Sequence, residues 1–171
     1  MKQKTYPLCF LASVLAILCL PYQHTHAQEK ESIENFQVSI INAEYLSNYS
    51  VNIYLTNKDL KVILKSKLME SNDTTLFYTT LPYSDTLKAI GKTKLDTLKT
   101  HYSNPCMDDG SELTIILKKN KHSKTIHLSN FYQEEIGKII YLVNALLPKK
   151  SQVLYNKEKL IADYKRCKGI Q

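Results

Sequence analysis

Residues 113–130 read LTIILKKNKHSKTIHLSN and residues 131–148 read FYQEEIGKIIYLVNALLP. In the first segment Leu113, Ile115 and Leu117 alternate with Thr114 and Lys118; after a polar turn at Lys119–Ser123, Ile126 and Leu128 alternate with Thr125, His127 and Ser129. A period of two puts each set on one side of a strand, so the segment predicts a β-hairpin with one apolar face. In the second segment Ile136, Ile139, Ile140, Val143, Leu146 and Leu147 recur at steps of three and four until Pro148. That spacing predicts an amphipathic helix, with Asn130 expected as its cap and Gln133 returning the hydrogen bond. An isolated hairpin is marginal in water and a lone helix of this length nearly so. The two apolar faces are therefore expected to cover each other.

Upstream, the alternation begins again. Phe36, Val38 and Ile40 predict a first strand, extending as far as Glu44, and Val51, Ile53 and Leu55 a second. A polar turn at Thr56–Asp59 leads to a third strand through Leu60, Val62 and Leu64, whose other face carries Lys61 and Lys65 against edge pairing. Past the break at Ser71–Asp73, the β-branched and aromatic run Thr74–Leu81 predicts a fourth strand ending before Pro82. Ser84 or Asp85 then caps a helix with Leu87, Ile90, Leu95, Leu98 and Tyr102 on one side and His101 at its end; Gly91 inside it favours two shorter pieces. Beyond Pro148, Val153–Tyr155 is expected as a short edge strand, and Asn156 as the cap of a last, short helix running through Cys167. The order of elements predicts an α+β fold. An antiparallel sheet of about five to six strands from hairpins is covered on one side by two main helices, with a short C-terminal helix.

The beginning of the chain has a different character. Lys2 and Lys4 precede the uncharged apolar run Leu8–Leu20, and Thr25-His26-Ala27 ends a more polar stretch. This predicts a signal peptide over residues 1–27, cleaved after Ala27, and a single α+β domain over 28–171, periplasmic or secreted. The run falls short of the roughly 20 apolar residues a comfortable span requires, so no transmembrane segment is expected in the mature form. Cys9 and Cys19 follow Leu8 and Leu18 and so lack the small preceding residue that lipid attachment favours. Cleavage removes two lysines and no acids, taking the formal charge from +7 to +5. The remaining lysines are interspersed with acids, and Arg166 is the single arginine. Nucleic-acid readers rely on arginine forks and clustered basic stripes, so no nucleic-acid partner is expected.

Cys106 and Cys167 are the cysteines of the mature part, and an even count in an exported chain predicts a disulfide between them. The alternative, Cys106 as a nucleophile with His101 or His127, has no thiol-enzyme signature around it. The acidic turn Asp108-Asp109-Gly110-Ser111-Glu112 lacks the spaced acids and distal glutamate of a calcium loop. No pair among His101, His122 and His127 has the spacing of a local metal motif, so no metal is expected; nor is any cofactor, in the absence of a phosphate-cradling or nucleotide-binding glycine loop. Asn48-Tyr49-Ser50 and Asn72-Asp73-Thr74 match the short N-glycosylation pattern.

Tyrosine is the compositional excess, twelve residues against no tryptophan. Tyrosine offers contact area and one hydrogen bond at small entropic cost, which makes it a useful recognition residue. Tyr49, Tyr54, Tyr78 and Tyr83, on and around the early strands, are the expected binding surface for an envelope or secreted protein or for a glycan; half-buried strand tyrosines are the structural alternative.

The segments Cys106-Met107-Asp108-Asp109-Gly110, Leu128-Ser129-Asn130-Phe131-Tyr132 and Tyr164-Lys165-Arg166-Cys167 resemble the C-terminal part of small, uncharacterised exported proteins of Bacteroidota. Asp73-Thr74-Thr75, Asp85-Thr86-Leu87 and Asp96-Thr97-Leu98 are similar to the Asp-Thr-apolar motif of periplasmic O-glycosylation in that group. The resemblance implies an envelope address and brings no catalytic residue with it. The expected function is therefore a non-enzymatic binding or interaction domain. The alternative is an immunity or inhibitor protein that blocks a secreted effector or a cell-wall hydrolase.

Overall fold

Seven strands among the described residues form one sheet, and alternation of apolar and polar side chains accounts for most of it. In a computed structural model of the protein, residues 35–43, 48–68, 72–94, 96–107, 110 and 112–170 are described, all within the unit Ile33–Gln171. The expected signal peptide, its cleavage site at Ala27, and Cys9 and Cys19 lie outside the described residues, as do Glu44, Ser71, Leu95, Asp108, Asp109 and Ser111. The strands are β1 (Phe36–Ala43), β2 (Tyr49–Thr56), β3 (Asp59–Ser66), β4 (Thr74–Thr80), β5 (His101–Ser103), β6 (Glu112–Lys119) and β7 (His122–Ser129). The helices are α1 (Asp85–Gly91), α2 (Glu134–Leu146) and α3 (Lys157–Lys168), with a 3-10 turn at Lys149–Ser151. The sheet runs β4-β3-β2-β1-β6-β7-β5, so β1, first in sequence, is central.

The fold class is α+β, as expected, with two corrections to the sheet. It has seven strands rather than five or six, and it is mixed, because β5 pairs parallel to β7 while every other pairing is antiparallel. The missed strand, β5, lies where the first helix was expected to continue. That helix stops at Gly91 after seven residues, capped by Ser84, whose side chain accepts from the Leu87 amide. His101 and Tyr102 consequently belong to an edge strand and not to a helix.

Register carries the apolar positions to one face. Ile40 pairs with Ile53 and Ile115, Val38 with Leu55 and Leu117, and Ile115 with Ile126. All are buried, and they pack in one core with Leu87 and Ile90 of α1 and Ile136, Ile139, Ile140 and Val143 of α2. Apolar side chains on this face are driven from water against α1 and α2, which is why those helices lie there. The opposite face bears the other half of each alternation, which includes the half-buried Ile41 and Ile116 and the buried Ser39 and Asn52.

Three boundaries differ from expectation for identifiable reasons. Asn130 does not cap α2; it adopts φ +49 and is buried, while Gln133 takes the cap, its Oε1 accepting from the Ile136 amide at 2.7 Å. Val153–Tyr155 is extended but not a strand. Its Val153 backbone is served by the Asn144 side chain of α2, which accepts from Val153 N at 2.8 Å and donates to Val153 O at 2.9 Å. A side-chain amide thus supplies what a neighbouring strand would have supplied. Finally, α3 is twelve residues long, close to α2 in length, with the expected Asn156 cap accepting from Lys159 N and Gly169 in the left-handed conformation at its end.

Cys106 and Cys167 form a disulfide across 61 residues of sequence, joining the segment after β5 to the last turn of α3. Among the described residues no helix is long and apolar enough to cross a membrane.

Candidate functional site: a tyrosine-lined groove

The apolar stripe of α2 faces the sheet, and Tyr141 falls between its members at a position turned away from the core. It is 75% exposed. Beside it, a groove of 650 Å³ runs between α2 and the extended chain entering α3, lined by Tyr132, Gly137, Lys138, Tyr141, Tyr155 and Lys157 among others. Its floor depends on a close approach. The Tyr132 ring lies against the α2 backbone at Gly137, where a methyl group would collide with the ring. Tyr155 stacks on Tyr132 with ring centroids 5.2 Å apart and planes at 28°.

Tyr155 is fixed from the other side by its hydroxyl, which accepts from Gln133 N at 2.8 Å and donates to Phe131 O at 2.9 Å. Burial pushes its pKa up to about 12, against a lowering by the Gln133 amide. Burial likewise raises Tyr132, with Glu134 adding to the effect. Around the groove, Lys157 Nζ lies 5.3 Å from the Tyr132 ring centroid and 3.2 Å from Glu134 Oε2, and Lys138 donates to Glu135 Oε1 at 2.8 Å. Those hydrogen bonds raise the pKa of both lysines. At neutral pH the groove therefore presents neutral phenols and charged ammonium groups: a hydrogen-bonding, aromatic-edged surface whose lysines are already balanced by carboxylates.

The tyrosines expected as the binding surface are distributed differently. Tyr54 and Tyr78 share the face of the sheet turned away from α1 and α2, one on each side of Lys61 in a single cross-strand row. That row continues through Ser39, Ile116 and Thr125. Tyr54 also receives a hydrogen bond from Asn52 Nδ2 at 3.2 Å. Tyr49 has the parity of Val51 and Ile53 and so belongs to the covered face at the end of β2, and Tyr83 lies in the connection between β4 and α1. The four do not make one row.

Tyr132, Tyr141 and Tyr155 are not among the tyrosines expected from the sequence as a binding surface. The departure of Tyr141 from the apolar period of α2 was a usable sign of exposure. The meeting of Tyr132 with Tyr155, 23 residues later, depends on how the chain returns past α2 and leaves no local pattern. The paired carboxylates Glu134 and Glu135 sit in the first turn of α2, as expected from the helix dipole, and hold the two groove lysines. No protein-family model matches the chain, and no curated protein matches it.

Proposed function

We propose that the protein is a non-enzymatic binding module exported to the periplasm or beyond the cell, and that it engages another envelope or secreted protein, or a glycan, through the tyrosine groove on α2. The observation that carries this reading is the collection of Tyr132, Tyr141 and Tyr155 around one groove with a charged rim. Aromatic area with a polar border is the composition that recognition sites favour. Raised phenol and ammonium pKa values suit binding over attack, since nucleophilic catalysis needs groups poised to lose a proton near neutral pH. The Cys106–Cys167 disulfide supports the address, because such bonds persist in oxidising compartments.

The test is a photo-crosslinking amino acid placed at position 141 and, in separate chains, at 54 and 78, in the native envelope. One discrete adduct at 141, lost when Tyr132 is also changed to alanine, is the expected result. Adducts at 54 or 78 alone would move the site to the sheet face that bears Tyr54 and Tyr78. Turnover of a substrate by the purified protein would overturn the reading altogether.

A further inference from the structure

The parallel register of β5 against β7 sets His101 directly beside His127. Both are exposed, at the edge of the sheet face turned away from α1 and α2, 26 positions apart in sequence. Their rings stack with centroids 4.9 Å apart and planes 24° from parallel. Thr114 Oγ1, on the next strand β6, lies 3.1 Å from His127 Nδ1. Thr100 Oγ1 lies 3.1 Å from His101 Nδ1. Each imidazole therefore has Nδ1 within hydrogen-bond distance of a threonine hydroxyl, which leaves Nε2 as the nitrogen outside that contact. A hydroxyl that accepts from Nδ1–H selects the tautomer in which Nε2 keeps its lone pair, and this is how ligating histidines are ordinarily oriented.

We propose that these neighbouring imidazoles, by turning out of their stack about χ2, form a two-histidine site for a divalent transition-metal ion, with His101 Nε2 and His127 Nε2 as the protein ligands and water completing the shell. Among the described residues no group of three or more histidines, cysteines and carboxylates is placed to hold a metal. The site is thus an open and exchangeable one, unlike a closed structural zinc centre. Two imidazoles select by softness: copper(II) binds most strongly, zinc and nickel next, while magnesium and calcium, which need oxygen ligands, do not compete. The site also has a structural consequence. β5 has three residues and joins the sheet through β7 alone, so an ion held between the strands clips the edge in place.

The experiment titrates the full, tag-free protein with copper(II), zinc and magnesium chlorides by calorimetry, and maps the copper site by paramagnetic broadening of amide signals. Copper binding tighter than zinc, no magnesium binding, and broadening centred on residues 100–103, 114 and 125–129 are expected. His101→Ala and His127→Ala each weaken copper binding about tenfold or more, a loss of the size seen when metal sites lose supporting groups. Zinc raises the melting temperature of the parent protein and not that of either variant. His101→Asn and His127→Gln, closer in size, repeat the measurement should alanine disturb the strands. Copper affinity unchanged in these variants, or broadening confined to other residues, overturns the inference.

Discussion

Gly137 has a conformation any residue could adopt in a helix, yet the Tyr132 ring occupies the space a side chain would need. Alanine would ordinarily strengthen a helix by about 1 kcal/mol over glycine. Forcing a methyl group into a filled contact costs about 1–3 kcal/mol. The second effect wins, so Gly137→Ala is expected to lower stability in thermal or urea unfolding. In the background of Tyr132→Ala, where the ring is gone, the same substitution should become neutral or stabilising. A double-mutant cycle reads the difference directly. Tyr155 makes a second prediction. Its hydroxyl satisfies two backbone groups, Gln133 N and Phe131 O, and Tyr155→Phe leaves them without that partner at a cost of about 1–3 kcal/mol. The same residue sets an alkaline limit. Its pKa is raised in the folded protein to about 12 from the ordinary 10.0, so the neutral phenol is the form that folding favours. That contribution is complete below pH 10 and is lost as pH rises from about 10 toward 12. Urea midpoints measured from pH 8 to pH 11.5 should fall more steeply in the parent protein than in Tyr155→Phe.

At the scale of elements, α3 is the helix that most depends on tethers. It buries Leu160, and Tyr164 packs edge-on against Phe131 at 5.1 Å, which itself stacks on Tyr102 of β5 at 5.6 Å. The disulfide holds its far end. Closing a loop of 61 residues is worth about 4 kcal/mol in the chain-entropy model. Reduction, or Cys106→Ala with Cys167→Ala, is therefore expected to lower stability by a few kcal/mol and to release α3 amides to hydrogen exchange before those of α2. Equal protection of the two helices after reduction would contradict this. The same elements show which parts of the fold were legible in advance. β6, β7 and α2 were readable because their apolar residues keep a strict period over many positions, and the disulfide because Cys106 and Cys167 are the two cysteines outside the expected signal peptide. β5 was not. His101–Ser103 is too short to display alternation, and its pairing is set by β7, on the far side of a loop and another strand. The groove was half legible: a tyrosine excess pointed to contact residues, but which tyrosines meet is decided by the path of the chain after Pro148.

For the molecule as a whole, the sheet has one face packed against α1 and α2 and one turned away from them. Adjacent residues on the central strand separate the two. Ile40 is fully buried between Ile53 and Ile115, under the helices. Ile41 is half-buried on the other face, between Asn52 and Thr114, in the row that ends at His127 and His101. Both are isoleucines on the same strand, so chain entropy and β-propensity are shared, and only the environment differs. Ile40→Ala removes three carbons from a closed core and should cost about 2–5 kcal/mol through lost transfer energy and the cavity left behind. Ile41→Ala removes the same atoms from a half-buried site and should cost about 1 kcal/mol, part of it β-propensity. Urea unfolding with an unchanged denaturant slope provides the comparison. Similar losses at the two positions would mean that the second face is covered in solution, whether by the rest of this chain or by a second copy. The row bearing Tyr54 and Tyr78 would then be an internal contact and not a surface available to partners.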